Sequence, residues 1–407
     1  MLDAAQNDTA CNSLLFCGPE VAALLDYALG ISPALIYLVD LFVIRRFHAH
    51  ARPAIRVAGD FMHHEERNPH PMTGQKMKRS LEVDTLRGIA CVLLVLFHVV
   101  GDTPSVGLRI PEGHWLQVFN EALAYIRMPL FSFISGYVYG FRPYQGNAPA
   151  FIKGKVRRLL LPLITVGTIF AVVQALTPGA NNAVDRWWLL HIVPVGHFWF
   201  LEALFIVFLV VVLLEHLKAL STPAGFALVW ALSAVLFDYF SPPNYFAAQG
   251  AVYLLPFFLA GLACKRFEIS GPAARGIAAA VFICAATAAM LLPQYSEQGN
   301  SMAALGLGVC SAFLLLRSGW SSPRLAYVGS YSFAIYLLHV FFTAASRIAL
   351  KKIGVTDIYV LMVAGLAAGL AGPIVSALLI SRSPSLNLWL LGTTGGGPKA
   401  KAKAAPA

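Results

Sequence analysis

Apolar residues fill repeated runs along the chain, and short polar stretches separate one run from the next. A helix needs about 20 apolar residues to cross a hydrocarbon core roughly 30 Å thick, and these runs of about 17–22 residues meet that length. The stretches between them hold turn-forming proline and glycine, as at 177–179 and 241–243. The pattern predicts an all-α polytopic membrane protein with about ten transmembrane helices. The predicted spans are 86–103, 121–141, 159–177, 199–217, 224–240, 247–264, 275–292, 301–317, 329–349 and 358–380.

Composition supports a membrane protein. Of the 407 residues, 58% are hydrophobic and only 12% are charged. Soluble domains carry about 25% charged residues, because a surface in water needs charge to stay dispersed. The six cysteines show neither the spacing of a disulfide framework nor that of a metal site.

The distribution of basic residues predicts the orientation and excludes nucleic acid as a partner. The net charge is +10, but Lys and Arg occur in short clusters between apolar runs, as in the cytoplasmic loops of membrane proteins. Nineteen fall on one predicted side and five on the other, which places both ends of the ten-helix unit, including the C-terminus, in the cytoplasm. Three outer cations, Arg347, Lys351 and Lys352, lie at the end of the ninth span and either meet an anionic glycan or lipid or simply flank that helix. The five outer cations are Arg109, Arg186, Arg347, Lys351 and Lys352.

Three regions are predicted along the chain. Residues 1–78 form an N-terminal extension whose apolar stretch at 31–44, broken by Asp40, is either an eleventh span or an interfacial helix. A basic, His-rich linker follows it, which we interpret as solvated rather than metal-binding. Residues 79–382 form the ten-helix membrane domain. Residues 383–407, rich in Gly, Lys, Ala and Pro, are predicted to be a disordered basic cytoplasmic tail.

The first span contains ionisable residues that are costly in a membrane and therefore indicate function or pairing. Arg87 and His98 are eleven residues apart, which places them about 20° apart around a helix and about 16 Å apart along it. Asp84 lies within about 40° of the same face. Taken singly, Arg87 is a boundary anchor, but the aligned pair favours chemistry. A neutral imidazole can take a proton from a hydroxyl, and a boundary arginine can hold a phosphate.

A second basic cluster precedes the third span. Lys153, Lys155, Arg157 and Arg158 place four cations within six residues, more than orientation alone requires. The cluster is either an anchor for anionic lipid or a site for the phosphates of coenzyme A, and one does not exclude the other.

Two more ionisable residues lie inside predicted spans. Glu202 stands one turn inside the fourth span, after an aromatic belt that begins at His197, and His339 lies in the ninth span. Catalysis and structural hydrogen bonding are equally good interpretations of both residues.

These motifs occur in the order found in one family. The chain resembles the bacterial acyltransferase-3 family of integral membrane O-acyltransferases over residues from about 80 to 380. Each motif is weak alone, but five in order on about ten spans are specific. The motifs are Arg87-x10-His98, Pro129 to Gly136, Lys155 to Leu159, Trp199 to Leu201, and Ser330 to His339.

The resemblance implies transfer of an acetyl or other short acyl group from acyl-CoA to a carbohydrate hydroxyl, in a bacterial inner membrane. Acceptors in such a family include exopolysaccharide, lipopolysaccharide and peptidoglycan. Arg87 and His98 match the motif essential to that activity, and Lys155 and Arg158 match the loop associated with acyl-CoA. Two departures stand out: Arg127 replaces a common histidine, which bears on acceptor identity, and Lys155 replaces an arginine.

The resulting hypothesis is a metal-free transfer. Cytoplasmic acyl-CoA, expected to be acetyl-CoA, binds through Arg87, Lys155, Arg157 and Arg158. His98 acts as general base on the acceptor, or forms an acyl-histidine, with Asp84, Glu202 and His339 as further catalytic candidates. The expected partners are the bilayer, a polysaccharide or glycolipid acceptor, and a polysaccharide synthesis or export complex. The alternatives are a glycan or lipid transporter and a non-catalytic partner of a polysaccharide synthase.

Overall fold

The computed structural model describes residues 80–180, 186–291 and 300–394, and within them the regular elements are helices. The chain order is α1 Leu81–Val100, α2 Trp115–Ala122, α3 Ala124–Tyr139, α4 Ala148–Lys155, a π-helical turn Val156–Leu160, α5 Leu161–Leu176, α6 Trp199–His216, α7 Pro223–Tyr239, α8 Ala248–Arg266, α9 Pro272–Leu291, α10 Met302–Arg317, α11 Pro323–Ser330, α12 Ser332–Lys352, α13 Ile358–Ile380 and α14 Pro384–Leu391. Short 3-10 turns at Trp187–Leu189, Gly196–Phe198 and Tyr245–Ala247 complete the order.

The long helices α1, α3, α5 to α10, α12 and α13 lie where the apolar runs predicted spans. Seven helical segments of the described chain are long and apolar enough to cross a membrane. Helices α7 and α10 are apolar but shorter, at 17 and 16 residues, and α3 also has 16 residues. The prediction of an all-α polytopic membrane fold is confirmed, and the number of crossings stays a prediction.

Polar caps fix where several helices begin. Ser80 accepts a hydrogen bond from the backbone N–H of Val83 at the start of α1, and Thr222 and Ser301 do the same for α7 and α10. Such a side chain satisfies one of the backbone donors that the first helical turn leaves without an intrahelical partner. The apolar runs therefore begin at residues that stabilise a helix end.

Glycines bring two pairs of helices into backbone contact. Where α3 crosses α8, a Cβ added at Gly136 would lie 1.9 Å from the carbonyl oxygen of Phe258, and one at Gly261 would lie 1.9 Å from that of Phe133. Where α1 crosses α11, a Cβ at Gly88 would lie 2.0 Å from the carbonyl oxygen of Leu325. Small residues at such crossings let helix backbones approach within a membrane.

The burial of each helix shows which ones form the interior. In α1, 61% of the apolar stretch is buried inside the bundle, whereas in α9 the buried share is 11%. Exposed leucine, isoleucine and valine side chains are therefore expected on the outer helices, because lipid solvates them as well as a protein core does. Helix α1 lies in the interior and α9 at the edge.

The predicted tail needs a correction at its start. Residues 384–391 form α14, whereas the sequence placed a disordered tail from 383 onward. Ser383 caps this helix, Pro384 suits its first turn, and the Thr165 hydroxyl donates to the carbonyl of Trp389 at 2.6 Å. The remaining tail from 395, the stretch at 31–44 and the His-rich linker lie outside the described residues.

The crossing of α3 and α8 should be intolerant of any added side chain. We expect Gly136→Ala or Gly261→Ala to destabilise the protein by about 2–3 kcal/mol, since overpacking costs about 1–3 kcal/mol and backbone cannot move aside as a side chain can. Gly276→Ala in α9 is the matched control, because nothing lies within 4 Å of the added atom. The thermal midpoint of the detergent-purified protein measures the effect. Equal midpoints for all three variants would contradict the crossing.

Candidate active site

Three histidine rings meet in the interior of the bundle. His98 comes from α1, His339 from α12 and His197 from the 3-10 turn before α6. The ring centroid of His98 lies 4.8 Å from that of His339 and 5.6 Å from that of His197, and His197 and His339 are 4.8 Å apart. Residues separated by up to 241 positions in the chain thus form one cluster, which we call the histidine cluster.

The backbone of α12 fixes the protonation pattern of His339. Its Nδ1 lies 2.8 Å from the carbonyl oxygen of Ile335 and 2.9 Å from that of Tyr336. A carbonyl oxygen only accepts, so Nδ1 carries the hydrogen, and Nε2 of the neutral ring holds a lone pair. Nε2 is buried and has no hydrogen-bond partner among the described residues. His339 therefore presents an acceptor inside the cluster.

His197 is held in the cluster by its neighbours. Its ring centroid lies 5.3 Å from that of Phe170 and 5.6 Å from that of Tyr336, both edge-on. The Tyr336 hydroxyl donates to the His197 backbone carbonyl, which ties α12 to the start of α6. His197 Nε2 is buried, also without a partner in the part of the chain that the structure describes.

Arg127 places a buried cation beside the cluster. This α3 residue is 6% exposed, and its guanidinium carbon lies 3.8 Å from the ring centroid of Phe97, the residue next to His98. Its Nη1 has no hydrogen-bond partner within residues 80–180, 186–291 and 300–394. A buried donor of this kind suits a negative charge on a substrate or one that develops during reaction.

A cavity of about 1000 Å³ connects these residues to exposed positions at one end of the bundle. His98, His197, Arg127 and Tyr336 line it together with the ends of α5, α12 and α13 and the loop at 106–109. All these helix ends lie on the side that the positive-inside rule assigns to the outside. By that prediction, His98 and His197 of the histidine cluster are reached from the outer surface.

Arg87 and Asp84 pair with each other. Nη1 of Arg87 donates to Oδ1 of Asp84 at 2.8 Å, and neither residue lines the cavity. The helical rise separates Asp84 from His98 by about 21 Å, so Asp84 does not contact that imidazole. The structure brings Asp84 to Arg87 and not to the histidine cluster.

The second basic cluster also lies away from the cavity. It spans the end of α4 and the π-helical turn, a distortion that is frequent at functional sites. Nζ of Lys155 lies 3.4 Å from the ring centroid of Phe208, whereas Arg157 and Arg158 are exposed. The opposite end of α5 lines the cavity. The basic residues and the histidine cluster thus lie toward opposite ends of the bundle.

Buried aromatic residues fill the core between these two ends. The ring centroids of Phe131 and Phe200 are 5.9 Å apart, and Phe200 lies 5.4 Å from Tyr336 in the cluster wall. On the other side, Phe208 packs at 5.2 Å from Phe258. We call Phe131, Phe200 and Tyr336 the aromatic layer; Tyr336 lines the cavity, and the two phenylalanines pack behind it.

Glu202 is buried one turn into α6 and does not line the cavity. Neither carboxylate oxygen has a hydrogen-bond partner among the described residues. Glu202 follows His197 by only five positions in the sequence, but its side chain does not line the cavity.

Of the residues that the sequence singled out, the structure unites His98 and His339. His197 and Arg127 join them, although the sequence had placed His197 only at an aromatic belt and had noted Arg127 only as a departure from the family pattern. The sequence does show a cation at Arg127 and an imidazole at His197 in apolar surroundings, which signals function or pairing. Only the tertiary structure shows that these side chains lie beside His98 and His339. The described residues include no group of three or more His, Cys, Asp or Glu side chains placed to hold a metal ion.

Apolar helices that enclose a cavity lined by His98 and His197 define a multi-pass membrane protein with an internal candidate site. The chain belongs to the acyltransferase-3 family, since the family model described as an acyltransferase domain matches residues 80–382. The motifs from Arg87 to His339 predicted this family, and the match confirms that prediction.

One curated protein gives a weaker likeness. The nodulation protein NolL of Mesorhizobium japonicum (strain LMG 29417 / CECT 9101 / MAFF 303099) is 25% identical over 185 residues, which cover 45% of this chain and 47% of NolL. The match thus spans about half the length of that relative. No solved structure matches the chain significantly.

The position of the cavity predicts which residues are accessible from outside. In a variant without native cysteines, Lys351→Cys at the cavity wall should react with a membrane-impermeant maleimide on intact cells. Lys153→Cys, exposed in α4, should react only after permeabilisation. Labelling is read on the purified protein by mass shift. Reaction of Lys153→Cys from outside would reverse the assigned orientation.

Proposed function

We propose that the protein transfers an acetyl or other short acyl group from cytoplasmic acyl-CoA to a glycan hydroxyl on the outer side of a bacterial inner membrane. The observation that carries this proposal is the position of His98 at the inner end of a cavity that leads to the predicted outer surface. Family membership supplies acyl transfer, and the cavity supplies room for a sugar acceptor beside an imidazole.

His98 acts as the general base. Its ring takes the proton of the acceptor hydroxyl while the oxygen attacks the thioester carbonyl, and the thiolate that leaves receives this proton. His339 is the positioning residue, because its Nε2 lone pair can accept the N–H of His98 and so hold one tautomer. Nη1 of Arg127, which has no hydrogen-bond partner among the described residues, stabilises the oxyanion of the tetrahedral intermediate.

The donor approaches from the opposite end. Exposed Arg157 and Arg158, with Lys155 and the Arg87–Asp84 pair, offer cations for the phosphates of coenzyme A. The thin acyl-pantetheine arm then extends toward His98 through the aromatic layer, whose side chains must move to admit it. An acyl-histidine formed at His98 is the variant route, in which the acceptor attacks in a second step.

The aromatic layer also weighs against the transporter alternative. A glycan or lipid substrate would need a wide path across the bundle, whereas Phe131, Phe200 and Tyr336 are buried and pack ring against ring beside the cavity. A pantetheine arm, one chain of atoms wide, requires a much smaller opening.

Loss of His98 should abolish transfer without loss of the protein. We expect His98→Ala to lower the O-acyl content of surface glycans at least about 100-fold relative to wild type, as for removal of a general base. The measurement compares a deletion strain complemented with each form at equal membrane abundance. His191→Gln is the matched control, since His191 bonds Thr168 and does not line the cavity.

The His339 variant separates catalysis from positioning. His339→Ala should lower kcat more than it changes KM for the acceptor, because orientation of His98 matters most in the transition state. Purified protein with radiolabelled acetyl-CoA gives both constants.

Near-wild-type acylation by His98→Ala would reject the assignment of the base and favour the alternative of a non-catalytic partner of a polysaccharide synthase.

A further inference from the structure

The outer end of the cavity carries an unusual concentration of positive charge. Four of the five cations that the sequence places on the outer side line this one cavity, although they come from the loop after α1 and from the end of α12. We call them the basic rim: Arg109, Arg347, Lys351 and Lys352. Among the described residues, Asp102 is the one acidic side chain that lines the cavity.

This convergence is not needed for orientation. Positive-inside topology favours few cations on the outer side, so outer Lys and Arg oppose that signal and call for another explanation. If the cations of the basic rim served only to flank α12, Arg109 would not be expected among them, because it comes from another segment. Arg186, the fifth outer cation, is exposed and does not line the cavity, which shows that outer cations need not gather there.

Two of the rim arginines are built into the cavity wall. Nη1 of Arg347 donates to the backbone carbonyl of Gly107, and Nη2 of Arg109 donates to that of Gly179 at 3.3 Å. These bonds join three segments around the opening and fix the guanidinium groups there. Lys351 and Lys352 are exposed at the same opening.

The walls between the basic rim and His98 offer neutral hydrogen-bonding groups. Gln174, Thr177 and Thr343 line the cavity. Amide and hydroxyl groups suit the hydroxyls of a sugar, whereas cations at the opening suit carboxylate or phosphate. A phospholipid headgroup would be expected on the lipid-facing surface, but these cations face a concave site that continues to the histidine cluster.

We propose that the acceptor is an acidic glycan, whose carboxylate or phosphate groups bind the basic rim while one of its hydroxyls reaches His98. The inference rests on the proposed acyl transfer and narrows its acceptor class. The rim selects the acceptor and positions it, and the histidine cluster carries out the chemistry.

The test compares two forms of one glycan. Full-length protein in phosphatidylcholine nanodiscs is titrated with an oligogalacturonate and with its fully methyl-esterified form, which has the same sugars without the charge. We expect the acidic form to bind about tenfold more tightly at low salt, and the preference to shrink as salt screens the rim. A phosphorylated oligosaccharide and its dephosphorylated form, titrated in parallel, show which acid is preferred.

Matched variants locate the preference. Lys351→Gln with Lys352→Gln should remove most of the ratio between the two affinities, and Lys351→Arg with Lys352→Arg should retain it. Arg186→Gln should leave the ratio unchanged, because this cation lies outside the cavity. An equal loss in Arg186→Gln would show a diffuse field in place of a site and would overturn the proposal, as would equal affinities of wild type for the two forms.

Further measurements separate this inference from its alternatives. If the lysine-to-glutamine pair changed the retention of phosphatidylglycerol in native mass spectra but not the glycan ratio, the rim would be a lipid site and the proposal would be wrong. Binding of the acidic form without transfer of acyl groups would count against the proposed function and leave the rim as an anion site. Transfer to neutral and acidic glycans at equal KM would count against the acidic-acceptor inference and leave the proposed acyl transfer in place.

Discussion

In the hydrocarbon core of a membrane, each polar group of the backbone must be bonded within the protein, because no water can replace a missing partner. This constraint makes the fold helical and makes every ionisable side chain within it expensive. The structure meets that cost by enclosing such groups between helices. His339 bonds its own helix, Arg127 stacks on Phe97, and His98 faces a cavity in place of lipid. The candidate site lies where the helices leave room for polar groups.

Close packing elsewhere keeps that room in place. At Gly88, α1 touches the backbone of α11, and α12 follows directly, so the contact fixes His339 relative to His98. The reciprocal contact at Gly136 and Gly261 fixes α3, which carries Arg127. Two rigid crossings therefore set the geometry of residues several turns away. A site on rigid helices is more precise than one on loops, as an acyl transfer that depends on orientation requires.

The positions of the helices followed from the sequence because a span leaves a long apolar run that needs no tertiary information. The start of the tail was not predicted correctly. Ser383 and Pro384 are a local signal for the start of a helix, but the overall composition of the tail does not reveal it. In the site, the spacing of Arg87 and His98 placed both on one helix but not their partners. Arg87 pairs with Asp84 in the same helix, whereas His98 meets side chains from α12 and from the turn before α6. Contacts between distant segments carry no local pattern, so the cluster required the structure.

If the proposed transfer takes place in a bacterial inner membrane, the aromatic layer has a consequence for the energetics of the whole cell. A bacterial inner membrane stores a proton-motive force, and a water-filled path from one face to the other would dissipate it as ion leak. Phe200 packs against Phe131 and against Tyr336, which lines the cavity, so the proposed route of the acyl chain leads between buried rings. An acyl chain can part such rings and be followed by their closure, whereas a hydrated ion would lose its water shell among them. In the proposed transfer, a chemical group would thus cross an insulating barrier that closes again behind it.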